Sequence, residues 1–498
     1  MAKFNKIPTI KTTNRSGYAA YSMTDKEQLV TAVLTTMFGE PKYYGSTDND
    51  IVHLATQCAH GDPEFLCKLA CYARNVANMR SISHVLAAII AREAREYTRI
   101  TLRNIVIRPD DITEIMSCYL SLYGKPFPNA MKREIANVIQ NFDEYQLAKY
   151  NGGNRELKFR DVLRIVHPTP KDAQQEALFG KILNDTLEIP YTWETELSAH
   201  GNTAEVWNEL IDSGKVGYMA LLRNLRNIIK SGADYQKVLD IIADPVRVKK
   251  SRQLPFRFYS AYRTLTAEGL MNPEIHKALE SALHASIDNM ETIPGRTLIA
   301  VDVSGSMRMK ISARSDVSCC DIASLMGAMA SRICEDATVC YFDAVTHWYG
   351  YSQKNPDGYR IAHYGKYDSV LDIALKNAFS GGGTDLSLPM HFALLKDNSA
   401  NVKPFDRVIY FSDCECNSSY DGLQKTVMSQ VEEYRRKFNP DFWVHGVDLQ
   451  GYGTQQFCGK HFNLIAGWSE SILPFILQVE KGMDNLVETI AKYDIGTT

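Results

Sequence analysis

The sequence predicts a multidomain chain, with an all-α front part followed by a doubly wound α/β part. Three observations carry this. Apolar residues recur at helical spacing in segment after segment from Thr24 to about residue 290, with no convincing strand pair among them. Pro294-Gly295 then punctuates the chain, and short apolar, β-branched runs begin to alternate with helical ones. The first of these runs, Thr297-Leu298-Ile299-Ala300-Val301, ends in Asp302-Val303-Ser304-Gly305-Ser306, a buried strand turning sharply into a small polar loop.

Residues 1–22 read as an extended arm. Thr24-Asp25-Lys26-Glu27 is a capping box ahead of Leu29, Val30, Val33, Leu34 and Met37, which share one helical face. Further helices are expected near 63–77, 81–97, 110–123, 127–140, 172–184, 203–213, 217–230, 234–243, 257–267 and 273–290, making 23–294 one helical domain. Helices of similar length joined by short Gly, Pro, Asn or Asp links suggest a HEAT-type repeat array, although no crisp repeat excludes an irregular bundle. In 295–498, strands are expected at 297–302, 337–343, 345–350, 407–412 and 441–447, with a last one at Phe462–Ala466 and helices between them. The first strand should be central, which places ligands beyond the strands' carboxyl ends.

A length of 498 residues, 45% hydrophobic and 23% charged, suits two or three soluble globular domains. No apolar run approaches the roughly 18–20 residues of a membrane span, and the polar amino terminus has no secretory core, so a cytoplasmic protein is expected. The 11 cysteines form no paired metal knuckle and read as buried thiols. Residues 297–498 hold 18 Lys and Arg against 24 Asp and Glu, net −6, which leaves 37 against 34, net +3, in residues 1–296. The front part is the better anion binder, and clustering decides where.

Residues 215–263 hold eleven cations, Lys215, Arg223, Arg226, Lys230, Lys237, Arg247, Lys249, Lys250, Arg252, Arg257 and Arg263, against only Asp234, Asp240 and Asp244. With Tyr218, Tyr235, Phe256, Phe258, Tyr259 and Tyr262 among them, this is the footprint of a single-strand or loop RNA binder, although the aromatics fit a core better than a stacking surface. Arg92, Arg95, Arg99 and Arg103 would form one helical stripe, with Glu93 and Glu96 near enough to pair. A third cluster follows Lys149 through Arg155 to Lys158, Arg160, Arg164 and His167, whose place before Pro168 puts it at a helix end.

Asp302, Ser304 and Ser306 are half a shell of hard oxygen donors, suited to Mg²⁺, Ca²⁺ or Mn²⁺. Gly381-Gly382-Gly383-Thr384-Asp385 offers a hydroxyl, and Val408-Ile409-Tyr410-Phe411-Ser412-Asp413 a second strand-end aspartate. In that order the pieces resemble the metal-ion-dependent adhesion site of von Willebrand factor A domains. Arg160-Asp161-Val162-Leu163-Arg164-Ile165-Val166-His167-Pro168, Met219-Ala220-Leu221-Leu222-Arg223-Asn224-Leu225-Arg226-Asn227, Leu254-Pro255-Phe256-Arg257-Phe258 and Gly382-Gly383-Thr384-Asp385-Leu386-Ser387-Leu388-Pro389-Met390 extend the likeness over the whole chain. The chain resembles the Ro autoantigen ribonucleoproteins, which carry the TROVE module. The resemblance implies a monomeric ring of HEAT-like helices closed by the A domain. It implies Y or Y-like RNA on a basic outer surface, and single-stranded ends of misfolded RNA in a central hole, sometimes with an exoribonuclease partner. By position it assigns RNA contacts to Lys149, His167 and Arg155, and a divalent cation, Mg²⁺, to Asp302, Ser304, Ser306, Thr384 and Asp413. Gly305, alanine in some members, should not disturb coordination. The expectation is a non-enzymatic RNA scaffold; a protein adaptor using the metal site is the alternative, with a metal-dependent nuclease the weakest reading.

Overall fold

The computed structural model describes residues 11–14, 17–35, 46–151, 156–253, 255–287, 291–310, 317–344, 357–365, 368–376, 382–397, 402–417, 426–452, 454–467, 472–482 and 485–496. Arg155 and the strand expected at 345–350 lie outside them. The chain divides into two compact units. One comprises 1–36, 217–230 and 234–486; the other comprises 37–216, 231–233 and 487–498. The boundary expected at 294/295 thus falls inside the first unit.

In the second unit, alternate helices pack on each other. Pro63–Asn75 packs on Thr98–Ile105, that helix on Asn129–Val138, and that one on Phe159–Val166. Arg80–Glu93 packs on Pro109–Tyr123, and that helix on Glu144–Tyr150. Two parallel rows of helices are what stacked helix pairs produce, so the array is favoured over an irregular bundle. One expected element is two. The helix over 81–97 ends at Glu93, where Ala94 leaves helical geometry at φ −133°, ψ 60°; a 3₁₀ turn Arg95–Tyr97 and a new helix Thr98–Ile105 follow. Arg92, Arg95 and Arg99 therefore do not lie along one helix; only Arg99 and Arg103 are successive on the same one. The rows are pinned by a buried ionic knot. Asp111, fully buried, accepts from Arg80 Nε (2.7 Å), His84 Nε2 (2.9 Å), Arg74 Nη2 (3.1 Å) and the Arg108 amide (2.8 Å).

In the first unit, strands β1 (Lys11–Thr13) and β2 (Ala19–Ser22) precede β3 (Ile293–Asp302), β4 (Cys334–Phe342), β5 (Tyr359–Ala362), β6 (Arg407–Ser412), β7 (Trp443–Asp448), β8 (Thr454–Gln455) and β9 (Phe462–Ala466). The main sheet runs β5-β4-β3-β6-β7-β9, parallel except for β5, with the first strand of the expected set central. Residues 298–302 are all buried, as a strand covered on both faces must be. Helix Cys319–Ile333 lies so close that a Cβ on Gly327 would sit 2.5 Å from Val301 Cγ2. Arg407 opens buried β6 because it is fully paired, with Glu480 at 2.7 and 2.9 Å and Thr297 Oγ1 at 2.8 Å.

The described part of the expected extended arm is built into a sheet. β1 and β2 form a hairpin that pairs with β8, and Asn14 Nδ2 donates to Cys416 O at 2.6 Å. Helices Pro255–Ala267 and Pro273–Ile287 belong to this unit through side chains. Asp321 accepts from Tyr259 Oη (2.8 Å) and Arg263 Nη1 (2.5 Å), while Glu280 accepts from the Val370 amide (2.8 Å) and Ser369 Oγ (2.9 Å). Among the described residues, no helix is long and apolar enough to cross a membrane.

Candidate metal centre and nucleic-acid interface

Two strand-end loops, after β3 and β6, and the glycine loop between helices Val370–Lys376 and Leu388–Asp397 converge at the carboxyl edge of the main sheet. Asp302 is fully buried; its Oδ1 accepts from the Ser304 amide at 2.9 Å and its Oδ2 from Ser412 Oγ at 2.6 Å. The turn brings Ser304 Oγ and Ser306 Oγ to 3.2 Å, with Ser304 buried and Ser306 exposed, so the site opens to solvent at Ser306. The glycine loop docks through the Gly305 amide, which donates to Gly382 O at 2.9 Å; a Cβ on Gly305 would meet that oxygen at 3.1 Å. An alanine there would therefore be tight in this chain. Asn417 Oδ1 accepts from the Thr384 amide at 2.7 Å and fixes this loop to the one after β6, where Asp413 Oδ1 accepts from the Glu415 amide at 3.1 Å.

This arrangement is short of positive charge. Thr384 Oγ1 and Asp413 Oδ2 are buried without a hydrogen-bond partner. Burial and the Asp413 charge push the Asp302 carboxyl up to about 7, and burial likewise raises Asp413. Two carboxylates facing each other in a dry site are costly unless a cation lies between them. The five residues thus fit a hard divalent ion. Sequence reasoning missed Ser412, at the end of β6, and Asn417, in the loop beyond it, which orient Asp302 and Thr384.

The structure divides the basic candidates. Arg226 and Lys230 both pair with Glu268, the former at 3.1 Å, and Arg263 pairs with Asp321; both acids lie beyond the basic stretch. These three are therefore matched to acids that the basic stretch itself does not contain. Arg223, Lys249, Lys250, Arg252 and Arg257 are exposed and make no ion pair among the described residues. The Arg257 Cζ lies 4.8 Å over the Phe256 ring. Phe256, Phe258, Tyr259 and Tyr262 are core residues, the placement the sequence favoured for them, while Tyr218 and Tyr235 are half-buried. Arg92 reaches Glu93 at 4.0 Å and lies 5.8 Å over the Tyr123 ring; Arg95 and Arg99 are exposed without an ion pair among the described residues. Lys149 is exposed at the end of helix Glu144–Tyr150. His167 is an exposed left-handed C-cap, φ 47°.

The TROVE domain model matches residues 20–188 and 185–270, and the Ro60 vWA domain model matches 296–442. The chain belongs to the Ro family. Relatives within its reach are telomerase protein component 1 of Rattus norvegicus, 27% identical over 292 residues, and RNA-binding protein RO60 of Deinococcus radiodurans, 25% identical over 316. The first alignment covers 41% of this chain and 11% of the rat protein, the second 53% of this chain and 56% of the Deinococcus protein. RNA-binding protein RO60 of Caenorhabditis elegans is 27% identical over 226 residues, 43% of this chain and 32% of that one. The chain therefore spans only part of the length of these relatives. The crystal structure of the Deinococcus Ro protein superposes with a TM-score of 0.61 at 20% identity, covering 92% of this chain and 100% of that one, which shows a shared fold.

Proposed function

We propose that this Ro-family protein is a non-enzymatic RNA-binding scaffold. One observation carries the reading: Arg223, Lys249, Lys250, Arg252 and Arg257, all in one compact unit, stay exposed with no acid partner among the described residues. Unmatched cations are what phosphates need, and they cost stability through self-repulsion unless an anion uses them. The Deinococcus and nematode relatives are named RNA-binding proteins, which supports the same reading. At the finer level the ligands are a small noncoding Y or Y-like RNA and the single-stranded ends of misfolded RNA, with an exoribonuclease as protein partner in decay.

Asp302, Ser304, Ser306, Thr384 and Asp413 would hold Mg²⁺. When bound, the cation supplies an open coordination position for an acidic group of a partner. The chain's own residues orient the donors: Ser412 and the Ser304 amide fix Asp302, Asn417 fixes Thr384, and exposed Ser306 marks the entrance. Two carboxylates and three hydroxyls form a one-ion donor set, unlike the carboxylate-rich pair of a two-metal phosphoryl-transfer centre.

Charge reversal tests the reading against a protein adaptor. The triple change Lys249→Glu, Lys250→Glu, Arg252→Glu should abolish retention of a small structured RNA on filters and spare EDTA-sensitive capture of a protein partner. Unchanged RNA retention would overturn the RNA reading. Partner capture insensitive to both EDTA and Asp302→Ala would overturn the metal role.

A further inference from the structure

The metal site opens at Ser306, and the surface beside that opening has a chemistry of its own. Ser306–Arg308 is a single 3₁₀ turn, in which side chains three apart eclipse. The Met309 amide donates to Ser306 O at 3.2 Å, which sets Met309 beside the entrance on the same side of the turn. Met307 is in the core, but Met309 is 50% exposed. From the loop after β7, Tyr452 Oη donates to Met309 Sδ at 3.7 Å. A single exposed methionine is ordinary on a protein surface; this one is clasped by a tyrosine and stands against the exposed donor of a metal site.

The loop that carries Tyr452 is held as firmly as the metal loops. Asp448 Oδ1 accepts from the Gln450 and Gly451 amides at 2.8 Å each, and Gly451 takes the left-handed φ of 67° that this turn needs. The Leu449 amide donates to Ser412 O at 3.0 Å, and the Ser412 hydroxyl orients Asp302. Gln450 Nε2 donates to Cys319 Sγ, and the Cys319 amide donates to Met309 O at 3.0 Å. Met309 and Tyr452 are therefore fixed relative to the metal donors through both backbones. Residues 306–310 also hold Arg308 and Lys310, both exposed, and no acid, inside a region, 297–498, that is net −6. An anion is favoured at this point of an otherwise acidic surface. A carboxylate alone would leave the Met309 side chain in water. A carboxylate with an apolar neighbour would cover it, and a thioether adapts to many apolar shapes.

We propose that Met309 and Tyr452 form an apolar subsite beside the metal centre, and that its partner is a peptide segment in which an acidic residue stands next to an apolar one. The carboxylate takes the open coordination position, Arg308 and Lys310 draw it in, and the apolar side chain lies on Met309. The inference rests on the metal reading and narrows the partner from any acid to an acidic–apolar pair.

The test selects random heptapeptides displayed on phage against the full chain in Mg²⁺ and elutes them with EDTA. The eluted sequences should share an acidic residue with Leu, Ile, Val, Met or Phe beside it. A recovered peptide, resynthesised, should bind the unaltered chain roughly tenfold more tightly than its apolar-to-serine version, the effect of burying part of one aliphatic side chain. The double change Met309→Ser, Tyr452→Ala should bind both versions alike, which closes a double-mutant cycle. Met309→Leu should preserve the preference, and asparagine in place of the peptide's acid should abolish binding to every form. The double variant should keep the rise in melting temperature that Mg²⁺ gives the unaltered chain, a readout of the donor set that needs no peptide. Acidic peptides without an apolar preference, or a preference that survives the double change, overturn the subsite and leave the metal reading standing. Loss of the Mg²⁺ response in the double variant also overturns it, since the two side chains would then belong to the cation's own site. Absence of any EDTA-eluted peptide overturns the subsite; if the unaltered chain lacks the Mg²⁺ response as well, the metal reading falls with it.

Discussion

Asp111 shows how one side chain can hold a helical array together. Burial opposes its ionisation, but the His84 hydrogen bond and the Arg80 and Arg74 charges outweigh burial and hold it far below the usual carboxylate range. Burial pushes His84 down, so at neutral pH it is a neutral donor and the two arginines supply the charge. A carboxyl depressed on folding adds stability that is complete above its unfolded value of about 4 and is lost as pH falls below it. Urea titrations should therefore show the protein weakening below about pH 4, and Asp111→Asn should cost roughly 3–5 kcal/mol at pH 7 and flatten that acid limb. Asp413 makes the opposite case, since its charge opposes that of Asp302. Calorimetry should show Mg²⁺ raising the melting temperature of the unaltered chain, by the equivalent of about 2.7 kcal/mol at a hundredfold excess over the dissociation constant. Asp413→Ala should lose that response yet be no less stable in EDTA, because the substitution removes the repulsion. A metal response retained by Asp413→Ala would remove this residue from the donor set.

At the scale of elements, helix Cys319–Ile333 depends on Asp321. Its carboxylate closes the capping box with Ser318, accepting from the amide and hydroxyl at 2.7 Å each, and also receives Tyr259 and Arg263 from helix Pro255–Ala267. Asp321→Ala should cost about 2–4 kcal/mol, a lost cap plus charged hydrogen bonds, while Tyr259→Phe should cost about 1 kcal/mol; guanidinium unfolding of the full chain measures both. This junction explains what the sequence could and could not reveal. Asp302, Ser304, Ser306, Thr384 and Asp413 were legible because a buried strand ending in an acid and a hydroxyl loop is a local pattern. Ser412 and Asn417 were not, since their roles come from strand register and loop contact. Glu268 and Asp321 lie outside the basic stretch, and only packing brings them to Arg226, Lys230 and Arg263. The break at Ala94 was hidden because apolar spacing continues through it, and the arm's pairing with β8 joins segments more than 400 residues apart, for which a two-residue strand gives no signal.

At the scale of the whole molecule, a net charge of −3 hides opposed halves, −6 over 297–498 and +3 over 1–296. A chain so balanced has little long-range attraction for polyanions, so any affinity for RNA must come from local cations at short range, screened over roughly 8–10 Å. The slope of affinity with salt then counts those that meet phosphate. If Arg223, Lys249, Lys250, Arg252 and Arg257 each neutralise one phosphate, log K should fall with log[salt] with a slope near −4.5, about a 500-fold loss between 50 and 200 mM. Arg223→Gln with Arg257→Gln should reduce that slope by about 2 and weaken different structured RNAs alike, because phosphate contacts carry no sequence. Arg226→Gln, whose cation already has Glu268, should leave the slope unchanged. Filter binding over a salt series decides the matter: a slope indifferent to Arg223 and Arg257 but sensitive to Arg226 would mean that RNA displaces the existing ion pairs instead of using the unmatched charges.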